Sequence, residues 1–89
     1  MNNTVMLSFD DEAYAYRANF FVNGVLVDWK RLTDVEEENL SEFLAKENQH
    51  IPFETILKER QEFWWMNQVD GTPTNFDEIM DNIIKEING

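Results

Sequence analysis

Asn23-Gly24, set between Phe20-Phe21-Val22 and Val25-Leu26-Val27, constrains this chain more than any other pair of residues. A tight hairpin turn needs positive φ at both central positions, which Gly and Asn tolerate best. A two-residue turn there sets Val22 opposite Val25, Phe20 opposite Val27 and Ala18 opposite Trp29. Side chains alternate with period two, so Tyr16, Phe20, Val22, Val25, Val27 and Trp29 share the expected core face. The other side carries Arg17, Asn19, Asp28 and Lys30, with Phe21 and Leu26 as apolar exceptions. Upstream, Val5, Leu7 and Phe9 alternate as a shorter strand, joined to the hairpin through Asp10-Asp11-Glu12. Residues 4–31 are expected to form a three-stranded antiparallel meander.

Helical signals follow. Thr33 with Glu36 three residues on reads as a capping box, opening a helix over about 34–48 with Leu40, Phe43 and Leu44 as its apolar stripe. Pro52 suits the first turn of a second helix over about 52–67, which ends before the turn Asp70-Gly71-Thr72-Pro73. Asn75 is expected to cap a third helix, about 75–87, with Glu78 in the reciprocal position. Phe76, Ile79, Met80, Ile83, Ile84 and Ile87 follow its 3.6-residue period. The expected fold is α+β: a meander followed by three helices packed on one face, in a single small acidic domain, 1–89.

Charge pulls against that fold. The chain has 18 Asp and Glu against 7 Lys and Arg, a net of −11 over 89 residues, and self-repulsion of this size opposes compaction. A disordered acidic tail is poor in aromatics, whereas this chain has seven Phe, three Trp and two Tyr. The aromatics win, and the chain is expected to fold. It has no cysteine, which excludes disulfides and thiolate chemistry and tilts the expected compartment to a reducing cytoplasm. The opening MNNTVMLSFDDE lacks the basic start and long apolar run of a signal peptide. The longest apolar run, Phe63-Trp64-Trp65-Met66, is far short of the ~20 residues that span a bilayer. Neither an anionic membrane nor nucleic acid is an expected partner, since both repel negative charge.

Catalytic and metal motifs are missing. His50 is the single histidine, read as a residue of the connection between two helices, with no nucleophile motif beside it. One imidazole among scattered carboxylates does not make a tetrahedral metal set. Met66–Asp77 fails as a calcium loop: Met66 stands where an oxygen ligand is required and Pro73 where a strand residue belongs. With three glycines in all, there is no phosphate cradle. The expectation is a non-enzymatic protein without metal or cofactor.

The acids remain to be explained. The first helix holds Asp34, Glu36, Glu37, Glu38, Glu42 and Glu47 against Lys46 alone. On a continuous helix Asp34, Glu38 and Glu42 lie opposite the apolar stripe, ~6 Å apart along the axis. Glu37 flanks that row, and the Asp10-Asp11-Glu12 turn adds to it if the fold brings the two together. Glu42–Lys46, Glu54–Lys58 and Asp81–Lys85 read as ordinary helix-supporting pairs. Such pairs are neutral, so they leave the surplus untouched. A row of carboxylates offers a basic cleft the charge pattern of phosphates. Phe63-Trp64-Trp65-Met66 cannot all share one buried stripe, so either the second helix is central and packed on two sides, or Trp64 or Trp65 is partly exposed as a binding or dimer anchor.

In composition the chain resembles the small acidic proteins that phages and mobile elements use against host nucleic-acid-binding proteins, including DNA mimics and anti-CRISPR proteins. That resemblance implies an inhibitor of a basic nucleic-acid-binding effector or nuclease in the host cytoplasm. Its face would be Asp10, Asp11, Glu12, Asp34, Glu37, Glu38 and Glu42, anchored by Trp64 and Trp65. Alternatives are an immunity protein or antitoxin for a basic toxin nuclease, or a homodimeric assembly protein with helix 52–67 as its seam.

Overall fold

The computed structural model describes residues 2–60 and 75–88. Three strands, β1 (Asn3–Asp10), β2 (Ala15–Val22) and β3 (Val25–Arg31), form the expected antiparallel meander. Asn23 and Gly24 take φ of 51° and 83°, closing the β2–β3 hairpin with Val22 opposite Val25. A fourth strand, β4 (His50–Pro52), pairs antiparallel with the far edge of β1, so the sheet order is β3-β2-β1-β4. His50 therefore lies in a sheet, not in a connection between helices.

The hairpin register holds for two pairs and then breaks. Phe21 faces Leu26, but Phe20 faces Asp28, leaving Val27 as the extra residue of a β-bulge. A one-residue slip transfers every later side chain to the opposite face. Trp29 now pairs with Asn19, Lys30 with Ala18 and Arg31 with Arg17. Trp29 leaves the expected core face and Lys30 joins it. Phe20 is fully buried there, with Tyr16 and Val22 packed against the core. Val25 and Val27 stay largely exposed because β3 is an edge strand.

Four helices are described: α1 (Asp34–Asn39), α2 (Ser41–Leu44), α3 (Phe53–Glu59) and α4 (Asn75–Asn88). The Thr33–Glu36 capping box is present in both directions. The single helix expected over 34–48 is instead α1, α2 and a turn. Phe43, Lys46 and Gln49 donate to carbonyls three residues back, and Asn48 takes φ of 67°. These tight turns bring the Asn48 N–H to Leu7 O at 2.8 Å and deliver β4 to β1. Pro52 ends β4 and directly precedes α3. Residues 61–67 of the expected second helix, the turn at 70–73, Trp64 and Trp65 lie outside the described residues.

Val5, Leu7, Ala18 and Phe20 from one sheet face meet Leu40, Phe43, Phe53, Ile56, Phe76, Met80 and Ile83 in one cluster. A buried carboxylate ties it together. Glu36 accepts from Lys30 Nζ, from the Thr33 N–H at 2.9 Å and from the Phe76 N–H at 2.7 Å. One side chain thus joins β3, the start of α1 and the first turn of α4, where a negative charge suits the helix dipole. Asn75 lies inside α4 rather than ahead of it, and the carboxylate reaching that first turn comes from distant Glu36. Burial pushes the Glu36 carboxyl up, but Lys30 and the two backbone N–H groups outweigh it and hold it below the usual value. Arg60 clamps α3 to α4 through Asp77 at 3.2 Å and Asp81 at 3.1 Å. Burial lowers the Arg60 pKa, yet Asp81 and Asp77 reverse this and raise it. Among the described residues the ion pairs involve Lys30 and Arg60. Among those ion pairs the expected i,i+4 pairs of Glu42 with Lys46, Glu54 with Lys58 and Asp81 with Lys85 do not occur.

Candidate functional site

Carboxylates converge at the end of the β1–β2 hairpin. The turn at 11–14 is held by Asp10, whose Oδ1 accepts from the Glu12 N–H at 3.0 Å and the Ala13 N–H at 3.4 Å. Tyr14 takes φ of 49° and projects outward, 86% exposed. At the last rungs Phe9 and Tyr16 are register partners, their rings edge to face at 5.2 Å. Their N–H groups are received by side chains from elsewhere: Glu37 Oε1 takes Tyr16 N–H at 3.3 Å, and Glu47 Oε1 takes Phe9 N–H at 3.0 Å. One bond holds α1 and the other the turn after α2 against the hairpin, and each fixes the carboxylate that makes it.

Asp10, Asp11 and Glu12 are therefore brought together with Glu37 through the Tyr16 bond. Asp11, Glu12, Asp34, Glu38 and Glu42 are exposed, while Asp10 and Glu37 are half-buried. The continuous row of Asp34, Glu38 and Glu42 is corrected. Asp34 and Glu38 share α1, but the chain leaves helical geometry at Leu40 (φ −99°, ψ 11°), and Glu42 belongs to α2. Trp64 and Trp65 lie outside the described residues. Three members of the site were missed by sequence reasoning: Glu47, Phe9 and Tyr14. On a continuous helix Glu47 would be one more helical acid, and its use in the hairpin depends on the turn at 45–48. Phe9 had been assigned to the strand alternation, but it stays 40% exposed at the rim.

The site's chemistry is electrostatic. The fields of exposed carboxylates reinforce one another only within about one Debye length, about 8 Å at physiological salt, so the neighbours Asp10, Asp11 and Glu12 act together. Among the described residues no group of three or more His, Asp or Glu is placed to hold a metal ion. No described helix is long and apolar enough to cross a membrane. A groove of about 470 Å³ runs between β3 and α4, lined by Val22, Val27, Ile79, Ile83 and Ile87 with Asp28 and Glu86 beside them. It offers apolar contact area next to further acids. No protein-family model matches the chain, and neither curated proteins nor solved structures yield a match.

Proposed function

We propose that this protein is a non-enzymatic acidic inhibitor that binds a basic, nucleic-acid-binding protein through the carboxylates of its hairpin end. The reading is of the phage or mobile-element anti-defence kind, such as an anti-CRISPR protein acting in the host cytoplasm. The observation that carries it is the anchoring of Glu37 and Glu47 to the two backbone N–H groups of one rung, Phe9–Tyr16, next to the Asp10–Glu12 turn. Fixed carboxylates lose little entropy on binding, so more of their Coulomb attraction reaches the complex. Two buried acids, Glu36 and Asp77, are matched by Lys30 and Arg60 inside the fold. Those pairs are neutral and leave the net charge of −11 unreduced, and the exposed Asp11, Glu12, Asp34, Glu38 and Glu42 are free to steer a cationic partner. Phe9 and Tyr14 supply apolar and aromatic contact at the same end, the role expected of Trp64 and Trp65.

The test is capture of partners from the native host, followed by competition. A basic nucleic-acid-binding protein released by added duplex DNA, with affinity falling steeply as salt rises, supports the reading. A captured partner whose binding ignores both DNA and the double substitution Glu37→Lys, Glu38→Lys would falsify it.

A further inference from the structure

A second surface has the opposite character. Two of the chain's seven Lys and Arg, Arg17 and Arg31, are direct cross-strand partners on β2 and β3 and share the sheet face turned away from the core. Like charges so placed repel each other, and among the described residues neither forms an ion pair with a carboxylate. On a chain with 18 acids that is an unspent attraction. Arg17 is held in position: its guanidinium lies 4.1 Å over the Trp29 ring, and its Nε donates to Asn19 Oδ1 at 2.9 Å. Asn19 is itself buried and locked by Nδ2 bonds to Met6 O at 2.9 Å and Ser8 Oγ at 3.1 Å. Beside the arginines, Trp29 and Leu26 are 50% and 46% exposed. Phe21 continues the face, with its ring against His50, which bonds Thr4 Oγ1 at 2.8 Å. The acid of β1 on this face, Asp10, is committed to its turn.

We infer that this open sheet face docks a protein segment bearing one or two carboxylates beside apolar side chains, with Arg17 and Arg31 receiving the carboxylates and Trp29, Leu26 and Phe21 the apolar groups. Arginine and tryptophan dominate interface hot spots for these reasons, and a guanidinium fits a carboxylate with two parallel hydrogen bonds. The face has two cations set among apolar groups, which matches a short mixed segment. A nucleic-acid strand presents a phosphate at every residue, and most of its length would meet the protein's net negative field. A second copy docked face to face would meet the same two arginines as a like charge. The surface is separate from the acidic hairpin end, and its existence does not depend on that end's function.

The experiment titrates the isotope-labelled whole protein with a short peptide alternating glutamate and leucine, with oligouridylate as a parallel arm. The expected result is peptide binding that shifts the Trp29 indole and Arg17 Nε signals. Arg31→Gln should weaken it roughly tenfold, and Trp29→Ser by roughly thirtyfold. Arg31 is exposed at the sheet edge, so its substitution leaves the Arg17–Asn19 support intact. Glu37→Lys with Glu38→Lys should leave peptide binding no weaker, which separates this face from the acidic site. The inference is overturned if the peptide does not bind, or if its binding is indifferent to Arg31→Gln. It is equally overturned if oligouridylate binds the face in its place, or if sedimentation shows self-association abolished by Trp29→Ser.

Discussion

The hairpin end and the open sheet face are built on the same two strands, yet they carry opposite charge and are held by different means. At the hairpin end, carboxylates from α1 and from the turn after α2 reach in to take strand N–H groups. On the sheet face, the side chains of β2 and β3 support one another, Arg17 on Trp29 and Arg17 on Asn19. The first region depends on the helices docking; the second is complete within the sheet. Net charge therefore describes neither surface. What sorts the residues between them is the bulge at Val27, which sends Lys30 inward to Glu36 and Trp29 and Arg31 outward.

The largest expected effect breaks the inner half of that arrangement. Glu36→Ala leaves the Lys30 charge buried without its partner and removes an acceptor from the Thr33 and Phe76 N–H groups. Losing one member of a buried pair costs about 3–5 kcal/mol, a large share of a small domain's stability. Urea denaturation should show the midpoint collapsing. Deleting Val27 is the sharper experiment. It removes only the unpaired residue, so Asp28, Trp29, Lys30 and Arg31 stay opposite Phe20, Asn19, Ala18 and Arg17, with Lys30 still facing Glu36 and Trp29 still facing outward. A cost of about 1 kcal/mol by urea denaturation is expected, with the Arg17–Trp29 contact and the Trp fluorescence retained; a loss as large as that of Glu36→Ala would show that the bulge itself positions Lys30.

Acid titration tests the same carboxylate by another route. The Glu36 carboxyl is held below its unfolded value. Its contribution is therefore complete above the unfolded pKa and disappears as pH falls through the folded one. Glu36→Gln should flatten the acidic limb of the stability profile while leaving the region above pH ~6 parallel to the parent. A profile of unchanged steepness would assign acid unfolding to other carboxylates. Thr33→Ala removes one arm of the capping box and should cost about 1 kcal/mol by thermal or urea unfolding. The smallest effect belongs to the outer acids. Glu38→Lys, exposed on α1, should change stability by less than about 0.5 kcal/mol. A substantial gain there would show that crowding of like charge strains the hairpin end.

Much of the fold is legible without coordinates. Local chemistry suffices for the Asn23-Gly24 turn, for the Thr33–Glu36 box and for the apolar period of α4. In each, the deciding contacts lie within a few residues of one another. The candidate site is legible only in part. Asp10, Asp11, Glu12 and Glu37 were identifiable as a surplus that local pairing did not absorb. Glu47 was not, because its place depends on a turn between α2 and β4 that carries no strong local signal, and the exposure of Phe9 and Tyr14 is set by how far the core reaches along the β1–β2 hairpin.

From the chain alone come the meander, the start of α1, the position of α4, and an acid excess too large for helix-supporting pairs. Tertiary structure alone decided the bulge, the fourth strand and the tie from Glu36 to β3 and α4. The physical reason is the same for all three. A strand's register and a buried carboxylate's partners are chosen by competition among distant groups for a place in the core. Here Lys30 and Glu36 are buried together, and Trp29 faces outward over Arg17.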